Sequence, residues 1–289
     1  MTLAYLIRAH HRPSQLARLV DRLTADGAHF YVHVSAGTSA ATFAEMQAAL
    51  RDRGDVTWTP RIETRYGGFS LLRATLEALR LIAEAGAARH VVQLSGQDYP
   101  LRPGPAIVDA FERRAGESLL VHFALPADEW ADEHGGLDRI RYFHVERIRY
   151  RARVLRLPLP RRRFPRGYAP YGGSAFWALS EEAVAYLMGF TEENPDFVRF
   201  FQHALIPDEL YVPTVLLNSP LRDRVVNESV HYIEWPGGVH PKTLTSADFD
   251  ALAGSGKLFA RKFDDEADAA VLDRIDRELL AAPAGEPAR

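Results

Sequence analysis

The chain has 289 residues, a formal net charge of −3, 47% hydrophobic and 25% charged residues. These are ordinary globular values that allow a large core and give no global pull toward nucleic acid. With no cysteine, a disulfide framework and a thiolate metal site are excluded.

No stretch approaches the ~18 apolar residues of a membrane span. The apolar run at the N-terminus meets Arg8 too early for a secretory signal, so a soluble cytoplasmic protein is the expectation. Residues 3–9 form a short apolar strand pattern. Pro13 follows, opening a helix with Leu16, Leu19, Val20 and Leu23 on one face. Residues 29–35 alternate as a strand, 39–53 return to helical spacing, and 56–60 are strand-like. After "RYGG", Leu71, Leu72, Leu76, Leu79 and Ile82 recur at helical intervals over 70–85. "HVVQLS" (90–95) reads as a buried strand ending at a polar turn, "GQDYP". This alternation predicts an α/β fold with a mixed, mostly parallel central sheet and helices on both faces. Ligands of such sheets sit beyond the carboxyl ends of the strands, which places the loops 8–13, 34–39 and 95–100 at one rim. From Asp138 to Arg166 there are eleven arginines. The segment fits either a solvated excursion or contact with an anionic acceptor or membrane surface. The tail 281–289 is expected to fray.

Four short stretches invite chemistry. Gly-Ser-Gly-Lys at 254–257 fails as a phosphate loop, because Ala251 stands where the first Gly belongs and Leu258 where Ser or Thr should follow. Gly254 and Gly256 read as a turn and Lys257 as solvated. In "PDELYVPTVLLNSP" (207–220), Asp208 and Glu209 fit either the first turn of a helix or a general base held at its start. In "PYGGSAFWALSEEAV" (170–184), a Gly-Gly-Ser turn precedes Trp177, a core residue or a sugar-stacking platform. Ser180 then opens a helix with Glu181 and Glu182. Asp248-Phe249-Asp250 has the letters of a metal motif, yet follows Thr245 and Ser246 as a capped helix start does. Asp98 stands alone in its loop, a thin ligand set for a divalent cation.

The segments "YLIRAHHRPSQLARLVDRL" (5–23), "FYVHVS" (30–35), "RYGGFSLLRATLEAL" (65–79), "QLSGQDYPLRP" (93–103), "YGGSAFWALS" (171–180), "PDELYVPTVL" (207–216) and "HYIEWPGGVHPKTLTSADFDAL…GKLFARKFD" (231–264) resemble, in this order, the core-2/I-branching glycosyltransferase family. That family includes β-1,6-N-acetylglucosaminyltransferases, peptide O-xylosyltransferases and plant glucuronosyltransferase-like members. The resemblance implies a single GT-A-type, Rossmann-like glycosyltransferase domain over 1–289. Residues 1–125 would bind the nucleotide sugar, and 126–289 would carry the acceptor and catalytic half with the C-terminal diphosphate-binding segment. It implies an inverting, metal-independent transferase that takes a sugar such as GlcNAc or xylose from a UDP-sugar to a glycan or lipid-linked acceptor, with no cofactor and no metal. Glu209 would be the catalytic base. Lys262, Arg261 and Lys242 would hold the donor diphosphate, and His33, Ser35, Arg65 and Tyr66 the nucleoside. Asp98, Ser174, Trp177, Asp208, Tyr232 and Trp235 would border the sugars. Nucleic acid is not an expected partner; peripheral contact with the inner face of a membrane is. Three departures stand out: Ser35 where relatives usually carry Asp, Tyr66 where Trp is frequent, and neither the anchor nor the cysteines of the animal enzymes. A metal-dependent transferase and a noncatalytic nucleotide- or carbohydrate-binding protein on the same fold are the rival readings.

Overall fold

The computed structural model describes residues 3–86, 88–130, 134–146, 154–237 and 240–281. The elements of the first half are, in chain order, β1 (Leu3–Ala9), α1 (Pro13–Arg22), β2 (Ala28–Val34), α2 (Ala40–Ala49), β3 (Val56–Trp58), α3 (Phe69–Ala85), β4 (His90–Ser95), β5 (Asp98–Pro100), α4 (Gly104–Glu112), β6 (Ser118–Leu119) and β7 (His122–Ala124). Then come α5 (Asp138–Arg141), β8 (His144–Glu146), β9 (Val154–Arg156), β10 (Tyr171–Gly173), β11 (Ala178–Ser180), α6 (Glu181–Glu193), α7 (Pro195–Phe201) and α8 (Tyr211–Leu217). The chain continues with β12 (Val225–Val226), β13 (His231–Ile233), α9 (Phe249–Gly254), β14 (Phe259–Arg261) and α10 (Ala269–Ile275).

Seven strands form the central sheet in the order β12-β6-β11-β4-β1-β2-β3. β1, β2, β3 and β4 are mutually parallel, and β11 runs antiparallel to β4 and β6. The expected mixed, mostly parallel sheet is therefore present. β1 shows why it is covered on both faces: side chains alternate along a strand. Leu3, Tyr5 and Ile7 enter one core with Leu16, Leu19, Phe111 and Leu272. Ala4 and Leu6 enter the other with Leu72, Leu79, Leu187 and Phe201. The helices rest on local signals too. Ser39 and Ser180 accept from the backbone N–H groups of Thr42 and Ala183 at the starts of α2 and α6.

The chain builds outward from β1 through β2 to β3, then returns to add β4 on the other side of β1. That reversal places a crevice at the carboxyl ends of β1 and β4, where Arg8 and Ser95 are register partners. A three-stranded sheet, β13-β14-β5, abuts it. "GQDYP" is thus not only a turn: Asp98–Pro100 is a strand paired with β14, because its backbone finds partners in a segment far along the chain.

Lys257 is also not solvated, since its Nζ donates to the Ser229 carbonyl at 2.8 Å. The turn at Gly256 is present with φ +67°. Several arginines of the 138–166 segment are spent on aromatic faces. Arg139 lies 3.6 Å from the Trp130 centroid, Arg156 3.2 Å from Tyr142 and Arg162 3.7 Å from Phe200. Arg147–Arg153 and the tail 282–289 lie outside the described residues. Among the described residues, no helix is long and apolar enough to cross a membrane.

Candidate active site

The cationic side of the crevice is built by β14. Arg261 sits directly opposite Asp98 in the antiparallel β14–β5 ladder, where paired side chains share a face. Its Nε lies 3.8 Å from Asp98 Oδ1, and its guanidinium carbon is 3.8 Å from the Phe176 ring centroid. The side chain is 13% exposed, and among the described residues its buried Nε and Nη1 atoms have no hydrogen-bond partner. Orphaned buried donors on a charged group are costly and call for an occupant. Burial lowers the Arg261 pKa, with Arg8 acting in the same direction and Asp98 opposing. Lys262 follows, half-buried.

The acidic side is the turn Pro207–Glu209. It is entered through Ile206 at φ 52°, a strained value for a β-branched residue. Its N–H donates to the Gly67 carbonyl at 2.8 Å, fastening the turn to the "RYGG" loop. Asp208 is buried and paired with Arg8 at 3.3 Å. Glu209 points the other way, and its Oε2 accepts from Arg139 Nη1 at 3.3 Å. Burial, with help from Asp208, pushes the Glu209 carboxyl up to about 7 against the opposing pull of Arg139 and Arg8. A carboxyl at that value can take and release protons near neutral pH. The exposed Tyr66 joins the two sides. Its phenol is raised by partial burial and then by Glu209 and Asp208, with Arg139 and Arg261 opposing.

Phe176, unmarked by sequence reasoning, is the floor between them. Arg8 lies 6.0 Å from its centroid on the carboxylate side, and Arg261 contacts it as above. Arg8, Arg139 and His231 were also missed. Arg8 belonged to a loop assigned to the ligand rim, which was a signal. Arg139 is 70 residues from Glu209 and had none.

At the nucleoside rim, His33 is buried and its Nε2 accepts from the Ile62 N–H at 3.2 Å. Burial, with Arg8 contributing, pushes it down to about 4, so the ring is neutral. Ser35 Oγ accepts from the N–H groups of Thr64 at 3.1 Å and Gly37 at 3.3 Å. Arg65 donates to Glu63 at 2.6 Å. Ser174 Oγ accepts from the Phe176 N–H at 3.0 Å, Tyr232 packs partly buried against the first core, and Trp235 is 57% exposed.

Three of the expected site residues already sit in closed or paired surroundings. Trp177 is 1% exposed and fills the second core, so it offers no face to a sugar. Asp98 is fully buried. Lys242 is half-exposed and pairs with Glu234 at 3.1 Å and Asp248 at 2.7 Å, exposed ion pairs of the kind worth little in water. The same pairing and a capping box with Thr245 occupy Asp248, while Asp250 is almost fully exposed. The Asp-x-Asp letters therefore serve a helix start. Among the described residues no group of three or more His, Asp or Glu could hold a metal ion.

A family model described as Core-2/I-Branching enzyme matches residues 3–252. The chain belongs to that family. The match ends before β14, so Arg261 and Lys262 stand on their geometry. The chain is 27% identical over 309 residues to Xylosyltransferase 1 of Canis lupus familiaris, covering 99% of this chain and 31% of that protein. It is 27% identical over 311 residues to Xylosyltransferase 2 of Rattus norvegicus, covering 99% and 35%. The chain thus spans about a third of the length of these curated relatives. A solved structure of the galactosyltransferase LgtC with donor and acceptor sugar analogs matches at TM-score 0.44 and 10% identity, over 98% of each chain.

Proposed function

We propose that this core-2/I-branching family member is an inverting, metal-independent glycosyltransferase. It would move a sugar such as GlcNAc or xylose from a UDP-sugar to a hydroxyl of a glycan or lipid-linked acceptor. The observation that carries the reading is the pairing of Glu209, raised to about 7, with the buried and unpartnered donors of Arg261 across one crevice. Glu209 takes the proton of the acceptor hydroxyl as its oxygen attacks the anomeric carbon. The bond from that carbon to the diphosphate oxygen breaks, and the electron pair leaves with the nucleoside diphosphate. Arg261 and Lys262 meet the growing negative charge, a task that preorganised cations perform without reorganisation. Arg grips phosphate oxygens with paired donors and Lys supplies a point charge.

The test is transfer from a panel of UDP-GlcNAc, UDP-xylose and UDP-glucuronic acid to hydroxyl acceptors, with UDP binding measured in parallel. Glu209→Gln should lose on the order of 10²–10⁴ in turnover and keep its UDP affinity, and excess EDTA should leave the wild-type rate unchanged. Near-normal turnover of Glu209→Gln would sink the base assignment. UDP binding without transfer or donor hydrolysis would favour a noncatalytic binder.

A further inference from the structure

Asp98 is a buried carboxylate that the proposed reaction does not use. It is sealed, at 0% exposure, so no ligand reaches it. Its Oδ2 accepts from the Ser95 N–H at 2.9 Å and its Oδ1 from the Ser95 hydroxyl at 2.6 Å. His231 Nε2 lies 3.3 Å from Oδ2. These contacts fix the carboxylate at the end of β4 and leave one direction open, toward Arg261 across the ladder. Burial of the carboxylate would by itself favour its neutral form, but Arg261, His231 and Ser95 keep it ionised.

The ladder explains why the pair meets. Asp98 pairs with Arg261, and His231 with Phe259 two residues earlier on β14, so all three charged or polar side chains lie on one face of the small sheet. At 3.8 Å the Asp98 contact is a charge contact beyond hydrogen-bond distance. The guanidinium is therefore oriented by a fixed anion and by the Phe176 face, while Nε and Nη1 remain without acceptors among the described residues. An arginine restrained in this way loses less freedom on binding than one that swings in from solvent.

We propose that Asp98 is a positioning residue for donor binding: it never meets substrate, and it acts only through Arg261, which it holds against Phe176 ready for a diphosphate. The identity of that ligand rests on the function proposed above. A double-mutant cycle separates this role from general support of the fold. UDP would be titrated calorimetrically into the full chain as wild type, Asp98→Asn, Arg261→Gln and the double variant. Asp98→Asn should weaken UDP about tenfold and Arg261→Gln about 10- to 100-fold, the range for a hydrogen bond to a charged group. The double variant should match Arg261→Gln alone. With an active donor pair, Asp98→Asn should raise the donor KM and leave the acceptor KM unchanged. Should Asp98→Asn fail to fold, Ser95→Ala keeps the charge and loosens the carboxylate. It should weaken UDP about threefold in the wild-type background and not at all beside Arg261→Gln. Equal UDP affinity in Asp98→Asn and wild type, or additive losses in the double variant, would overturn the positioning role. A wild-type chain that binds no UDP overturns the functional reading, and this role with it.

Discussion

Glu209 offers a measurement that needs no substrate. Its carboxyl sits at about 7 in the folded chain against an ordinary value of 4.5. Between those values the native state holds a proton that the unfolded chain has released. Stability linked to this group is therefore fully present below about pH 4.5 and is lost as pH rises through about 7. The gap is worth about 3 kcal/mol at about 1.36 kcal/mol per pH unit. This is an upper bound, because a quarter of the side chain is solvent-exposed. Gln resembles the protonated acid and cannot ionise. Relative to wild type, Glu209→Gln should gain up to about 3 kcal/mol of stability between pH 4.5 and 8, whatever constant offset the new amide introduces at Arg139. For 289 residues, unfolding entropy is roughly 0.6 kcal/mol/K, so the gain is about 5 °C in Tm. Differential scanning fluorimetry of both proteins at matched ionic strength from pH 4.5 to 8.5 reads it directly. Titrating groups that are not coupled to Glu209 cancel in the difference. A Tm difference that stays flat across that range would show that Glu209 ionises normally, and the argument for a poised base would fall with it.

Two further outcomes follow from the same geometry. Transfer should require the Glu209 carboxylate, so kcat/KM should fall about tenfold per pH unit below about 7, and a rate independent of pH from 5 to 8 would contradict it. Trp177→Ala should cost about 3–5 kcal/mol of stability by opening a core cavity, as read by urea denaturation. The folded fraction should keep its UDP affinity, and a selective loss of that affinity would return Trp177 to the site.

The first half of the chain was legible because period-2 and period-3.6 patterns there coincide with burial on both faces of one sheet. Leu3, Tyr5 and Ile7 against Ala4 and Leu6 show the strand period directly. The Pro-Asp-Glu turn stood out for a different reason: by pattern its carboxylates fit a helix's first turn or a general base equally, and the family resemblance singled out Glu209 as the candidate base. For the aromatic pair at 176–177 the sequence left open whether Trp177 is core or platform. Trp177 has the larger ring, but it faces the core while Phe176 faces the two arginines. Nothing local decides which of two neighbouring rings points inward; that depends on how the chain enters β11. Asp98 and Arg261 failed to pair on paper for a related reason, since cross-strand register between distant segments is set by the assembled sheet.

That register bears on the chemistry. A base near neutrality and a set of cations for a diphosphate are conflicting demands, because nearby positive charge pulls a carboxyl pKa down. Here the two partly buried arginines against the Phe176 floor each face a carboxylate of their own: Arg8 pairs with Asp208 at 3.3 Å, and Arg261 faces Asp98 at 3.8 Å. Each internal counterion offsets its arginine's field at Glu209 while leaving the guanidinium donors in place. Asp208 goes further and raises Glu209 itself. Arg139 is the cation in direct contact with the base, and it is drawn aside onto Trp130 at 3.6 Å. Burial therefore outweighs the cations at Glu209. Lys262 forms no salt bridge among the described residues, so in the proposed reaction it would add charge for the diphosphate from beyond the base's contacts. On the proposed function, the buried aspartates would allow one crevice to hold both a poised base and a phosphate grip.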